Sequence, residues 1–207
     1  MDYLYAMVLF AVSSSVTPGP NNIMVMTSGL NFGVKKSLPL LSGICMGFAI
    51  MLLLVGIGFG QLFGLFPSLH FIIKCLGVLY LVYLAWLIAR SADVGSSGSQ
   101  AKPLSFIKGA LFQWINAKAW VVATGAIAAF TTVGADFYGQ NMMLALTFFL
   151  VSFPCVGVWL MFGSLLKKTL TQDKYRRLFN YTMSALLVVS VLPVMGEILN
   201  HLTSSHG

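Results

Sequence analysis

Six stretches of this chain are apolar for long enough to cross a bilayer, and they narrow the fold more than any motif does. They run over Tyr5–Leu30, Leu38–Phe63, Leu69–Ala89, Phe106–Thr131, Asn141–Leu166 and Leu178–Leu199. A span needs about 20 apolar residues, at 1.5 Å each, to cover roughly 30 Å of hydrocarbon. Only 8% of the 207 residues are charged and 58% are hydrophobic, with a mean hydropathy of +0.89. A soluble domain places about 25% charged residues on its outside, so a soluble enzyme and a disordered chain are both excluded. The expected fold is an all-α polytopic membrane protein with six transmembrane helices, forming a single membrane domain over residues 1–207.

The connections are short except for the Gly/Ser-rich run Ser91–Pro103 (SADVGSSGSQAKP), a flexible linker by composition. It divides the chain into a first three-helix half (1–90), a cytoplasmic linker (91–104) and a second three-helix half (105–207). Lys and Arg fall on alternate loops. Lys35 and Lys36 lie in the first, Arg90, Lys102 and Lys108 in the third, and Lys167, Lys168, Lys174, Arg176 and Arg177 in the fifth. The other loops and both chain ends carry Asp2, Asp136 and Glu197 but no Lys or Arg. By the positive-inside rule the odd loops are cytoplasmic and both termini are outside. This placement accounts for the net charge of +7 with anionic lipid, not nucleic acid, as the neighbour. Met1-Asp2-Tyr3 lacks the basic start of a cleavable signal, so the first run reads as a permanent helix. Cys45, Cys75 and Cys155 lie singly inside apolar runs, with no C-x-x-C pair, and read as small buried side chains. No cofactor and no metal site are expected.

Two basic residues remain within spans. Lys74 is close enough to the outer end of the third span to snorkel to the headgroups. Lys118 lies some ten residues past Lys108, about 15 Å along a helix, near the midplane. An ammonium there costs about 2.5–3.5 kcal/mol unless it faces a cavity or a partner. Gln113 and Asn116, at i and i+3, share a helix face, and a break or widened turn would bring Lys118 round to the same cavity. The alternative is an ion-paired or headgroup-anchored structural lysine.

The first span carries Ser13-Ser14-Ser15-Val16-Thr17-Pro18-Gly19-Pro20-Asn21-Asn22. Pro18 cannot donate to the carbonyl of Ser14, nor Pro20 to that of Val16, and Gly19 adds backbone freedom. Irregular backbone at this depth is tolerated only when buried in protein or lining a water-filled cavity. Gly19 is then expected as an N-cap and Pro20 as the first helical residue, leaving the amides of Asn21, Asn22 and Ile23 unpaired. Such a helix start attracts an anion, while the carbonyls of Ser14 and Val16 offer the opposite polarity. The candidate substrate-binding set is Ser14, Thr17, Pro18, Gly19, Pro20, Asn21, Asn22, Gln113, Asn116 and Lys118, a constellation suited to a small zwitterion. A simple proline kink is the bland alternative.

Three spans per half put the halves in opposite orientation, and the two polar anomalies occupy corresponding places. This predicts a 3+3 inverted repeat with its site at the repeat interface. Gly43-x-x-x-Gly47 and Gly56-x-x-x-Gly60-x-x-x-Gly64 suit close helix packing. Pro39, Pro154 and Pro193 mark expected bends.

At Thr17-Pro18-Gly19-Pro20-Asn21-Asn22 and at Asn116-Ala117-Lys118 the chain resembles the LysE/RhtB family of amino-acid exporters, whose members commonly carry N-P-K in the fourth span. Gly29-x-x-x-Gly33 with Lys35-Lys36, and Lys74-x-x-Gly77-x-x-Tyr80-Leu81-x-Tyr83-Leu84, extend the likeness over essentially the whole chain. TPGPNNI, and the stretch from Gln100-Ala101-Lys102-Pro103 to Lys118, resemble the cysteine/O-acetylserine exporter branch. Ala117 stands where proline is commoner, which argues for a softer break in span four. The resemblance implies a multi-pass efflux transporter of the bacterial inner membrane, driven by the proton motive force, for amino acids or close derivatives. Alternating access about the midplane site is the expected mechanism. No Asp or Glu lies deep in a span, which leaves Lys118 as the candidate for proton coupling. The expected partners are a small-molecule amino-acid substrate and membrane lipid; a homodimer is left open. Rival readings are a membrane thiol-redox conduit, which needs two approachable cysteines, a metal-ion exporter, for which His70, His201 and His206 lie too far outward, and a non-transporting scaffold.

Overall fold

The computed structural model describes residues 2–58, 67–90, 102–132, 134–170 and 172–204, and every element among them is helical. In chain order these are α1 (Asp2–Val16), α2 (Pro20–Phe32), α3 (Val34–Gly56), α4 (Pro67–Arg90), α5 (Phe106–Phe112), a 3₁₀ turn (Gln113–Ile115), α6 (Ala117–Phe130), α7 (Phe137–Thr169) and α8 (Asp173–Ser204). Gly60, Gly64 and the linker residues 91–101 lie outside the described residues, as do His206 and the side chains of Lys74, His70 and His201.

Among the described residues, four helices are long and apolar enough to cross a membrane alone: Val34–Gly56, Phe71–Arg90, Phe137–Lys167 and Asp173–Asn200. The other two apolar runs are each split. The first becomes α1 and α2, and the fourth becomes α5, the 3₁₀ turn and α6, so neither half-helix has the length to span. Pro39, Pro154 and Pro193 sit within α3, α7 and α8, which continue through them. The basic loop residues are taken up into helix ends: Lys35 and Lys36 open α3, Lys167 closes α7, and Lys174, Arg176 and Arg177 begin α8.

Between α2 and α3 stands one residue. Gly33 has φ 81°, a left-handed conformation natural to glycine, and its N–H donates to the Gly29 carbonyl at 2.9 Å. This is the glycine-ended helix terminus that lets the chain reverse at once.

Several polar side chains are buried in an otherwise apolar interior, and many large apolar ones face outward. Asn22, Gln113, Asn116, Asn141 and Asn180 are buried, whereas Leu79, Val121, Leu150 and Val158 are exposed. That is the arrangement expected when the surroundings are lipid. α7 packs against α1, α2 and α3; α3 also packs against α5 and α6; α4 packs against α8. Small residues allow the closest of these approaches. A Cβ at Gly43 or Gly47 would run into the backbone of Phe106 or Ala110, which seats α5 directly on α3. The buried apolar side chains form two clusters. Among the described residues, one joins α2, α3, α4, α5, α7 and α8 around Phe112, Leu160 and Leu187; the other joins α1, α3, α6 and α7 around Met7, Leu144 and Phe148.

Candidate functional site

At the first interruption α1 ends at Val16, with the Thr17 N–H making a last helical bond to the Ser13 carbonyl at 3.1 Å. Beyond it the prolines supply no N–H, and side chains take over. Asn22 Nδ2 reaches back from the first turn of α2 and donates to the carbonyls of Ser15 and Thr17, both at 3.0 Å. Trp159 on α7 donates its Nε1–H to the Val16 carbonyl at 3.2 Å. Asn22 is 2% exposed, and its Oδ1 has no partner among the described residues.

Gly19 is extended (φ −179°, ψ −179°) and caps α2, with Pro20 at the first helical position, as the residue types require. One detail of the expectation is corrected. The Ile23 N–H is not free but donates to the Gly19 carbonyl at 3.0 Å, because the N-cap carbonyl already accepts the fourth amide. Asn21 and Asn22 carry the first-turn amides that lack an intrahelical acceptor.

The second interruption forms without proline. After the 3₁₀ turn, Asn116 is extended (φ −87°, ψ 105°) and its Oδ1 accepts the Lys118 N–H at 3.2 Å, capping α6. The Asn116 carbonyl accepts from Ala119 at 2.9 Å, while Trp120 Nε1–H donates to the Trp114 carbonyl at 2.8 Å and Gln113 Nε2 to that of Gly109 at 3.0 Å. The break is therefore complete despite Ala117, because asparagine capping does what proline does elsewhere.

The two interruptions touch. Asn21 and Gln113 exchange hydrogen bonds, Nδ2 to Oε1 at 2.9 Å and Nε2 to Oδ1 at 3.0 Å. Lys118 Nζ donates to the Thr17 carbonyl at 2.7 Å. Its stem lies on Gly19, where a Cβ would stand 3.1 Å from Lys118 Cδ and 3.2 Å from Nζ. Glycine serves here by leaving space for the lysine, since its extended backbone is open to any residue.

Two cavities flank this contact. The smaller, about 50 Å³, is bordered by Ser14, Ser15, Gly19, Asn21, Asn22, Asn116, Lys118 and Ser152 among apolar neighbours that include Cys45. It has room for one or two waters at about 30 Å³ each. The larger, about 540 Å³, runs between α4, α6 and α8 and is bordered by Pro18, Gly19, Pro20, Asn116, Lys118, Ser190 and Glu197 along an otherwise apolar wall. That volume lies within the roughly 300–1,000 Å³ usual for small-molecule sites. Of the ten candidate residues, Thr17 and Gln113 border neither cavity; they contribute the carbonyl held by Lys118 and the amide pair with Asn21.

Sequence reasoning missed four residues here. Ser152 shares a hydroxyl contact with Ser15 at 3.3 Å, Trp159 holds the Val16 carbonyl, and Cys45 borders the smaller cavity. Glu197 was placed at an outer helix end, yet it borders the cleft that Lys118 also borders. Its spacing from Ser190, Val191 and Val194 on one face of α8 was the available signal.

A helical bundle with apolar side chains outside, buried polar ones within and two interrupted apolar runs in contact is a polytopic membrane protein. The LysE type translocator family matches residues 12–193, and the chain belongs to it. It is 32% identical over 182 residues to the cysteine/O-acetylserine efflux proteins of Escherichia coli (strain K12) and Shigella sonnei (strain Ss046), covering 86% of this chain and 90% of each relative. The protein of the same description from Escherichia coli O1:K1 / APEC is 31% identical over the same length. No solved structure matches.

Proposed function

We propose that this protein exports amino acids or close derivatives across the bacterial inner membrane, binding them where the two helix interruptions meet. The observation that carries this reading is the contact itself. An ammonium, a run of helix-end carbonyls and a helix start whose first amides lack helical acceptors converge at one place beside a ligand-sized cleft. A zwitterion matches both polarities, with its carboxylate toward the Asn21 and Asn22 amides and its amino group toward the carbonyls. The relatives' description makes cysteine and O-acetylserine the first substrates to test.

Six passes, two of them broken, with both termini outside, complete the proposal. An inverted repeat sets α1 against α5, α2 against α6 and α3 against α7, and the packing supports it: α1 and α2 both pack on α7, as α5 and α6 both pack on α3. Alternating access then follows from rocking one half against the other, driven by the proton motive force with Lys118 as the proton carrier. The test is overexpression in a bacterial host challenged with a panel of amino acids and thiol precursors. Cysteine or O-acetylserine is expected to accumulate outside, and to stop when an uncoupler collapses the proton gradient. A medium no richer than that of the vector control for every compound overturns the proposal, and efflux indifferent to the uncoupler overturns its driving force.

A further inference from the structure

Lys118 does not point its ammonium into open cavity; it is already bound to the carbonyl of Thr17. That carbonyl belongs to the C-terminal end of α1, the negative pole of the half-helix. Asn22 donates to this carbonyl as well and to that of Ser15, Trp159 donates to that of Val16, and Pro18 leaves the Ser14 carbonyl without its helical donor. Ser14 and Lys118 both border the smaller cavity, while Lys118, Gly19 and Asn116 border both cavities and so form the partition between them. The same carbonyls are the acceptors that the amino group of a bound zwitterion requires.

We infer that the carbonyl end of α1 is a single-occupancy ammonium site, filled by Lys118 when the carrier is empty and by the amino group of the substrate when it is loaded. This rests on the export reading above and deepens it. As the substrate ammonium takes the carbonyls, its carboxylate turns to the Asn21 and Asn22 amides and Lys118 loses its acceptor. An ammonium left against a mainly apolar wall carries an uncompensated desolvation cost, and releasing one proton to water removes it. The balance is one substrate ammonium in and one proton out, with no bond to carbon made or broken. When the substrate leaves, Lys118 takes a proton from the side it faces and closes on Thr17 again. Substrate and proton therefore move in opposite directions, one for one. Besides Lys118, the titratable side chains bordering the two cavities among the described residues are Glu197 on α8 and Cys45 on α3. Glu197 lies about 10 Å further along α8 than Ser190, on the path the proton would use.

The test uses the full chain in proteoliposomes with a trapped pH indicator and two probes. O-acetyl-L-serine carries an ammonium; N-acetyl-L-serine, its isomer by acyl shift, has none. The wild type is expected to carry O-acetylserine against an equal flow of protons and to leave N-acetylserine behind at least tenfold. Any O-acetylserine that Lys118→Met still carries down its gradient is expected to move with no proton flow. Wild-type transport without proton counterflow, comparable transport of N-acetylserine, or preserved coupling in Lys118→Met each overturns the inference and leaves the export reading standing. The two wild-type arms decide the matter if the variant fails to insert. A wild type that carries no amino acid overturns the export reading, and the inference with it.

Discussion

In the first half of the chain two prolines remove the N–H groups that would continue α1, so the interruption is written into the covalent backbone. In the second half no proline intervenes. α5 passes through a 3₁₀ turn, and Asn116 adopts an extended conformation and caps α6 with its side chain. The first interruption leaves carbonyls in want of donors, which Asn22, Trp159 and Lys118 supply from outside the helix. The second satisfies itself mostly locally, through Asn116, Gln113 and Trp120. One break is thus obligatory and the other conditional on side-chain capping. The obligatory break is also the one that depends on its neighbours for closure, which makes it the more suitable place to bind and release a ligand.

This contrast can be broken at four points. The largest effect is expected from Pro18→Ala combined with Pro20→Ala, which returns two N–H groups to the carbonyls of Ser14 and Val16. Efflux at equal membrane abundance should fall about tenfold or more, equivalent to at least ~1.4 kcal/mol. Undiminished efflux would reduce the motif to a kink. Asn22→Leu comes next. It strips a donor from two part-buried carbonyls, at up to about 1–3 kcal/mol each, and thermal unfolding in detergent should show a clear loss. A wild-type melting curve would mean that the two carbonyls need no side-chain donor. Asn116→Ala removes only a cap, at about 1 kcal/mol, and the same assay should place it between Asn22→Leu and the wild type. If it proved the more damaging of the two, the ranking of the breaks would be reversed.

The smallest effect is expected from Ala117→Pro. Ala117 is the first residue of α6, where the N–H has no helical acceptor, and the preceding Asn116 already has the extended backbone that a following proline demands. The variant should be unchanged or stabilised by about 0.4–1 kcal/mol. A loss of stability would show that the Ala117 N–H is engaged.

The first break was legible from the sequence down to its N-cap, because Pro18, Gly19 and Pro20 act through the covalent chain and need no partner to do so. The second was legible only through the cost of Lys118 at mid-depth and through family likeness. No local residue at Ala117 forbids a helix, and the capping by Asn116 emerges only from the folded backbone. Helix ends were read too short where charge was taken to mean loop. Lys167, Lys174 and Arg176 are good helix formers, and α7 and α8 run on past the apolar stretch. A contact such as Ser15 with Ser152 depends on which helices become neighbours, and no periodicity within one segment records that.

The single residue between α2 and α3 has a mechanical consequence. With Gly33 as its only link, the end of α2 is tethered to α3 within two Cα steps of about 3.8 Å each, so α2 cannot slide away from it along the membrane normal. What is left to it is to swing, with Gly33 as the fulcrum. Over 13 residues the lever arm is about 20 Å, so a tilt of about 5° moves the far tip by roughly 1.7 Å. That tip holds Pro20 and Asn21, so the leverage is greatest where the Asn21–Gln113 pair and the Thr17–Lys118 bond must part.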